Sequence, residues 1–496
     1  MDVHGEPLSP PGRDTAILAR LERLDITKPL RRLRFQAGLG YAFDAADTAT
    51  LALILPAVSV VWHLNKGQTG VLGSSVLIGF MFGALASGAI GDAFGRRRVM
   101  TYALLLFCLG SLLGALAPNW ELLFAARVVT GLGCGAEAAV ISVYASEFVA
   151  ARHRGRFVGS LVAFFALGWI IAALAGRFVI PLDGGWRWLQ VLGATPVLLL
   201  LWWRRYLPES PRWLLLRGRR REAHEVVARF ERGSGLEPGP APGVDDMSVP
   251  RPRLQIRGGL RSLRGFADLL QPGLRRVTLS TCFLWLVVFF CFYGFNTWIP
   301  SLLIARGYTI TSSFTFTILI YVAQAPGYYS AARLFARFDQ KTVIVGYFVG
   351  GAISAFILSQ VSTTATILAA SCLLSFFMSG VSGCTYAYTP QVFPTAIRSS
   401  GSGLCSAVGR VGAIAAPIVV GTSYSALGFG GVFALFMGML VIGGLGVLVF
   451  GVATRNKTLE EIEAEELGTV VSLPVDEVPG TAAPRDRRVT SGEDAS

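Results

Sequence analysis

The chain alternates long apolar blocks with short polar segments. Most apolar blocks hold roughly 20 residues, the length that an α-helix needs to cross about 30 Å of hydrocarbon. We predict twelve transmembrane spans, numbered 1 to 12 in chain order: 35–61, 70–90, 99–117, 121–148, 157–180, 187–206, 276–304, 311–335, 341–360, 364–389, 400–424 and 430–452. The pattern therefore predicts an all-α polytopic membrane protein.

Composition supports this class and argues against enzymatic activity. Hydrophobic residues make up 53% of the 496 positions and charged residues only 15%, too apolar for an ordinary soluble domain. The seven cysteines all fall within predicted spans, so we interpret them as small buried residues and not as a disulfide framework or metal site. The sequence shows no nucleotide-binding loop, Ser-His arrangement or metal-ligand cluster. We expect no enzymatic activity, no metal and no cofactor beyond a proton gradient.

Basic residues predict the orientation in the membrane. They concentrate in the N-terminal tail and in the loops after the even-numbered spans, as in Arg96 to Arg98 and in "RGRRREAHEVVARFER" after span 6. Both termini are therefore expected in the cytoplasm, in a plasma membrane protein inserted through span 1. The net charge of +13 is explained by the anionic inner leaflet, so the lipid bilayer and not nucleic acid is the expected partner. We expect a monomer.

The chain reads as a duplicated unit. Pro and Gly are frequent in 207–275, which predicts a flexible cytoplasmic linker between two six-helix bundles, 35–206 and 276–452. The tails are 1–34 and 453–496. Landmarks in the two halves align at a constant offset of 244 residues: Pro56 matches Pro300, and Arg154 matches Arg398. The sequence predicts two pseudo-symmetric bundles, with a substrate bound near the midplane between them.

Several motifs resemble the major facilitator superfamily. "GDAFGRRR" (91–98) is similar to its loop signature, "RVVTGLG" and "EFVAARHRGR" to its fourth-helix motifs, and "PESPRWLL" (208–215) to the sugar-porter-like signature. "YAFDAAD", "AQAPGYY" and "YTPQVFPTAIRSSGSG" resemble the branch of metabolite:proton and aromatic-acid:proton symporters that includes niacin-type carriers. The resemblance covers roughly residues 30–455 and implies a twelve-helix transporter.

The resemblance also implies a cytoplasmic gate, a charge network that closes in the outward-facing state. Its predicted members are Gly91, Asp92, Gly95, Arg96, Arg97, Glu147, Arg154, Glu209, Arg212 and Arg398. The glycines allow close backbone approach at a helix end. The alternative is a set of solvated loop charges that only fix topology. Because Gln391 stands where the branch usually has Glu, and "FDQK" lacks the Gly-Arg-Arg element, the gate is expected to depend on the first half.

Five ionisable residues lie deep within predicted spans. Asp44 and Asp47 lie near the midplane of span 1, Arg127 and Glu137 are in span 4, and Arg410 is in span 11. Each costs at least about 2.5 kcal/mol to place at the bilayer centre, so each is a functional candidate. Residues three apart share a helix face, and two carboxylates there cannot both ionise cheaply. We predict proton coupling by at least one of the pair, with Asp44 as the favoured proton carrier, Asp47 tuning it or contacting substrate, and Glu137 as a rival site. Alternatively, one aspartate is structural and forms a salt bridge with Arg127.

Arg410 is the predicted substrate anchor, because a guanidinium binds a carboxylate through two parallel hydrogen bonds. The alternative is a structural partner for one of the aspartates. Gln324 beside the Pro326-Gly327 break is a possible hydrogen-bonding group. Further candidates for a flat pocket are Tyr41, Trp285, Tyr293, Asn296, Trp298 and Tyr386.

These features predict proton-coupled uptake of a small organic acid, an aromatic or other monocarboxylate. A sugar:proton symporter is the first alternative, but spans 5 and 7 lack the glutamines that hold hydroxyls in hexose carriers. A proton-driven exporter is less favoured because span 5 lacks the Gly-Pro-Gly-rich element of such antiporters. A non-transporting sensor is the last alternative, and the tails carry no recognisable signalling domain.

Overall fold

The computed structural model describes residues 13–198, 207–238, 269–393 and 398–452, which form helices and no strands. The helices are α1 (Arg13–Arg23), α2 (Lys28–Val61), α3 (Lys66–Phe94), α4 (Arg96–Ala115), α5 (Trp120–Glu147), α6 (Ala151–Val179), α7 (Gly185–Gly193), α8 (Pro211–Leu216), α9 (Arg220–Gly233), α10 (Pro272–Ala305), α11 (Ile310–Val322), α12 (Gln324–Arg337), α13 (Gln340–Gln360), α14 (Thr364–Val392) and α15 (Arg398–Phe450). The all-α prediction is confirmed.

The helices follow the predicted spans. Helices α2 to α6 cover spans 1 to 5 to within two residues at the C-terminal ends of the spans, and α7 contains the start of span 6. Span 8 is divided at Ala323 between α11 and α12, and α15 combines spans 11 and 12 across Gly428, where the backbone leaves helical geometry. Eight helices in the described part of the chain are long and apolar enough to cross a membrane.

The boundaries differ from the prediction on both sides of the first bundle. Helix α2 begins at Lys28, seven residues before span 1, with Pro29 in its first turn, where the missing N–H costs no hydrogen bond. Part of the predicted flexible linker is helical, because Ser210 caps α8 by accepting from the Trp213 amide. Leu21 of α1 and Val227 of α9 belong to one buried cluster, so these short helices pack beneath the first bundle.

The helix boundaries repeat along the chain. Four helices of the second half begin 244 residues after a helix of the first half. The pairs are α2 (Lys28) with α10, α3 (Lys66) with α11, α4 (Arg96) with α13, and α5 (Trp120) with α14. The offset that aligned sequence landmarks therefore also aligns the starts of these helices. The fold is two pseudo-symmetric helical bundles.

We call the end of the molecule that carries α1, α8 and α9 the tail side and the opposite end the far side. The two bundles are in contact on the far side. There the Trp298 indole N–H donates to the Pro417 carbonyl at 3.0 Å, and the Lys66 ammonium lies 5.3 Å from the centre of the Tyr424 ring. Gly70 packs against the backbone at Pro417 so closely that a Cβ atom would collide with it. The far side is closed in this conformation.

Candidate functional site

A cavity of about 440 Å³ separates the two bundles. The first bundle contributes α2, α3, α5 and α6 to its walls, and the second contributes α10, α12, α14 and α15. The cavity reaches from Arg410 at mid-depth to Leu85 and Gly403, which lie toward the tail side. Since the far side is closed, the cavity is positioned for access from the tail side. Its volume falls in the range of about 300–1,000 Å³ that is typical of small-molecule sites.

Arg410 lines this cavity inside an aromatic surround. Its guanidinium carbon lies 3.9 Å from the centre of the Phe80 ring and 5.4 Å from that of Phe289. One guanidinium N–H donates to the Tyr293 hydroxyl at 3.2 Å. Within the described part of the chain, Arg410 forms no ion pair, and a guanidinium carries five N–H donors. A cation held by ring faces, with donors to spare, is suited to bind an anionic group.

Further aromatic side chains line the cavity beside those around Arg410. Tyr41, Tyr293 and Tyr386 line it, as predicted, together with Tyr328 and Phe165, which the sequence analysis did not select. The Tyr41 hydroxyl donates to the Ala138 carbonyl at 3.2 Å, and its ring lies 5.9 Å from that of Phe165. Such a surface suits a planar ligand.

Asp47 is held by Arg127. The Arg127 Nη2 donates to Asp47 Oδ2 at 2.8 Å and to the Asp47 carbonyl at 3.0 Å, and Arg127 also reaches Gln190. Both side chains are at most 1% exposed. This is the salt-bridged arrangement that was the alternative for one of the two aspartates.

Asp44 instead faces Glu137 of α5. Both are buried, and their four carboxylate oxygens accept no hydrogen bond from an N–H or O–H group of the described residues; the Cys134 thiol lies beside Asp44. Glu137 acts on Asp44 electrostatically more strongly than Asp47 or Arg410 does. Two unpaired carboxylates in a low-dielectric interior cannot both stay ionised, so this pair can hold a proton. Asp44 thus interacts with Glu137 as well as with Asp47, and of the two aspartates only Asp47 is bridged to Arg127 among the described residues.

Four predicted substrate residues lie outside the cavity in this conformation. Gln324 Nε2 donates to Asn296 Oδ1 at 2.9 Å, and both side chains are buried. Trp298 is used in the far-side contact with Pro417. Trp285 is also outside the cavity, and its indole N–H donates to the Thr389 hydroxyl at 2.7 Å.

The predicted gate residues meet at the start of α4. Glu209 Oε1 accepts from the backbone amides of Arg96 and Arg97 at 3.1 and 3.2 Å, which places a carboxylate at a helix N-terminus. The Arg96 guanidinium forms an ion pair with Glu147 at 3.2 Å and donates to the Gly91 carbonyl. Arg212 donates to Glu22 of α1 at 2.8 Å, a partner that was not predicted. The side chains of Asp92, Arg154 and Arg398 lie outside the described residues.

The second bundle has amides where the first has this ion pair. Arg96 and Glu147 correspond, at the offset of 244, to Gln340 and Gln391, and Gln340 Nε2 donates to Gln391 Oε1 at 2.6 Å. A neutral hydrogen bond thus replaces the charged contact at both matching positions. The charged contact of this cluster therefore lies in the first half, and its role in a gate stays a prediction.

The comparisons with known proteins agree with this architecture. The sugar (and other) transporter family matches residues 41–465. The chain is 38% identical to the niacin transporter NiaP of Acinetobacter baylyi, covering 90% of this chain and 99% of that protein. It is 33% identical to a putative niacin/nicotinamide transporter of Bacillus subtilis, covering 87% and 98%. The inward-open xylose transporter XylE of Escherichia coli superposes with a TM-score of 0.69 at 20% identity, covering 88% and 99%.

The chain is a multi-pass secondary transporter and not an enzyme. It belongs to the sugar (and other) transporter family, within the major facilitator superfamily, as its motifs indicated. The twelve-helix, two-bundle fold is confirmed by the solved structures of that superfamily. Its cargo is a small molecule.

Proposed function

We propose that this protein is a proton-coupled symporter that imports a small aromatic monocarboxylate, with niacin as the first candidate. It acts as a monomer in the plasma membrane with both termini in the cytoplasm, so the tail side is cytoplasmic. The observation that carries the proposal is Arg410, a buried cation that lines an aromatic cavity and has no acidic partner among the described residues.

The substrate class follows from the contents of the cavity. A carboxylate would accept charge-assisted hydrogen bonds from Arg410, which are about twice as strong as neutral ones. The attached ring would lie among Tyr41, Phe165 and Tyr386, where flat apolar surfaces favour stacking over hydroxyl recognition. Similarity to the niacin transporter of A. baylyi supports nicotinate in particular, since it is a planar ring with one carboxylate.

Proton coupling is assigned to Asp44 and Glu137. Asp47 instead forms a buried ion pair with Arg127 at 2.8 Å, and this cation favours its charged form. The Asp44 and Glu137 carboxylates lack such a cation, so the cost of a second buried negative charge favours one shared proton. In the inward-facing conformation the pair would release that proton toward the cytoplasm. Once the substrate carboxylate has also left Arg410, the empty carrier would return to the outward-facing conformation.

The gate completes the cycle in this proposal. Gly91, Arg96 and Glu147 join the ends of α3, α4 and α5 on the tail side, and Glu209 ties the linker to the start of α4. Closure of the cytoplasmic side would bring the second bundle against this cluster. The matching contact of the second bundle, between Gln340 and Gln391, carries no charge, so it would contribute less to the closed gate.

Uptake of radiolabelled nicotinate into proteoliposomes with an imposed inward proton gradient tests the proposal. We expect wild-type uptake to be competed by benzoate but not by nicotinamide, which has no carboxylate. Arg410→Lys should lower kcat/KM by about tenfold or more, because a lysine cannot form the paired hydrogen bonds. Arg306→Lys is the matched control, since Arg306 also lies on a ring, 4.3 Å from the centre of Phe429, but at the far side and outside the cavity.

The outcomes separate the alternatives. If xylose or glucose enters and nicotinate does not, the site is a sugar site and the carboxylate argument is wrong. If nicotinate leaves preloaded vesicles only against a proton gradient, the protein is an exporter. If no ligand moves although nicotinate binds, the sensor alternative holds.

A further inference from the structure

A second cavity, of about 390 Å³, lies on the tail side between α2 and α9. Three basic residues line it: Lys28 and Arg32 from the first turns of α2, and Arg229 from α9. Its apolar walls include Leu33 and Phe230. No acidic residue is among the described residues that line it, so its charge is positive.

The base of this cavity holds a polar group that the fold leaves unsatisfied. Gln36 lines the cavity, is 2% exposed, and its Nε2 finds no hydrogen-bond acceptor among the described residues. A buried donor without an acceptor costs about 1–3 kcal/mol, which is a reason to expect a ligand that accepts from it. Lys28, Arg32 and Arg229 are exposed whereas Gln36 is buried, so the cations surround the mouth of the cavity and the amide lies deeper.

The start of α2 adds to the positive potential. No side chain caps this helix and no acidic residue occurs in its first turn. The Thr27 hydroxyl, at the cap position, is bonded to Ser234 at 2.7 Å instead. The partial positive charge of the helix N-terminus therefore acts on the same region as Lys28 and Arg32.

We propose that this cavity binds a phosphate group, carried either by an anionic lipid or by a soluble phosphate. A phosphate offers several acceptor oxygens, enough for Arg229, Lys28 and the Gln36 amide together. Because Arg229 and Gln36 belong to different helices, the bound group would join α9 to α2. The ligand would thereby hold the short tail-side helices against the first bundle, independently of which substrate is carried.

The thermal midpoint of the full chain in phosphatidylcholine nanodiscs tests this site. In one arm, inorganic phosphate is added at an ionic strength matched with chloride; in the other, part of the lipid is replaced by phosphatidylglycerol. A ligand that binds the folded state raises the midpoint. A rise with inorganic phosphate identifies a soluble source, and a rise only with phosphatidylglycerol identifies the lipid.

The variants decide whether the effect comes from this cavity. Arg229→Gln changes an exposed side chain and should lower the apparent affinity by about tenfold, and Gln36→Leu should do the same. Arg31→Gln is the matched control, because Arg31 is an exposed arginine on the same helix turn outside the cavity. If neither ligand shifts the wild-type midpoint, or if Arg31→Gln weakens the shift as much as Arg229→Gln does, the proposal is overturned.

Discussion

Replacing Arg127 by leucine tests the assignment of Asp47 to a structural role. The two side chains meet at 2.8 Å, where the attraction is about 6 kcal/mol for an effective dielectric constant of about 20. Because burying two ions costs several kcal/mol each, the pair as a whole contributes little net stability. Its single removal is different, since Asp47 would then be a buried charge without a partner. Arg127→Leu should destabilise the protein by about 3–5 kcal/mol.

The second substitution tests the reason for that loss. Asp47→Asn combined with Arg127→Leu removes both charges and should recover most of the stability, short of about 1 kcal/mol for each lost Arg127 hydrogen bond. Thermal unfolding of purified variants, followed by size-exclusion fluorescence, gives the order of midpoints. Arg177→Leu serves as the control for removing a membrane arginine, because Arg177 lies 5.6 Å from the centre of the Phe178 ring and forms no ion pair among the described residues.

Two results would refute the reasoning. A double variant as unstable as Arg127→Leu would mean that the charge of Asp47 is not the source of the loss. A double variant that is stable but no longer couples protons would mean that Asp47 carries the proton.

Three further predictions concern the far side, the gate and the short helices. Gly70→Val should block far-side closure and abolish nicotinate uptake while nicotinate binding remains. The control Gly346→Val, with open space around its Cβ position, should leave uptake and binding unchanged. Normal uptake in the Gly70 variant would contradict the proposed closure. Gly95→Ala should destabilise the protein by about 1–2 kcal/mol, since Gly95 has φ of +101° and the added Cβ atom would press on Glu209. An unchanged midpoint of thermal unfolding would exclude that strain. Burial and a neighbouring arginine lower the pKa of His224 below its usual value near 6.5. Around that pH the unfolded chain therefore binds more protons than the folded chain, so stability should fall as the pH drops through about 6.5. His224→Gln should flatten this pH dependence, and an equal slope in both proteins would rule out His224 as its source.

Much of the fold was predictable because its signals are local and repeated. Apolar length alone located the spans, and the offset between Pro56 and Pro300 predicted the duplication that the helix starts show. The packed helices α1 and α9 were missed, since their few apolar residues, such as Leu21 and Val227, stand among many charges. Their burial depends on each other and on the Arg20–Glu231 ion pair, which joins residues 211 positions apart.

The candidate site was only partly predictable, because its pairings depend on how helices pack. Asp44 and Asp47 share a helix face, yet Arg127 contacts Asp47, and nothing in their spacing selects between them. The sequence therefore predicted Glu137 as a rival proton site to the aspartate pair and not as a neighbour of Asp44. Phe80 gave no signal, since a phenylalanine in an apolar span is ordinary until Arg410 is placed on its ring.

The central claim is tested most directly by lumenal acidification on adding nicotinate to proteoliposomes that contain a pH-sensitive dye. We predict acidification with wild type, its loss in Asp44→Asn and in Glu137→Gln, and its retention in the double variant of Asp47 and Arg127. Acidification that survives when both Asp44 and Glu137 are neutralised would contradict the account, and so would acidification driven by glucose but not by nicotinate.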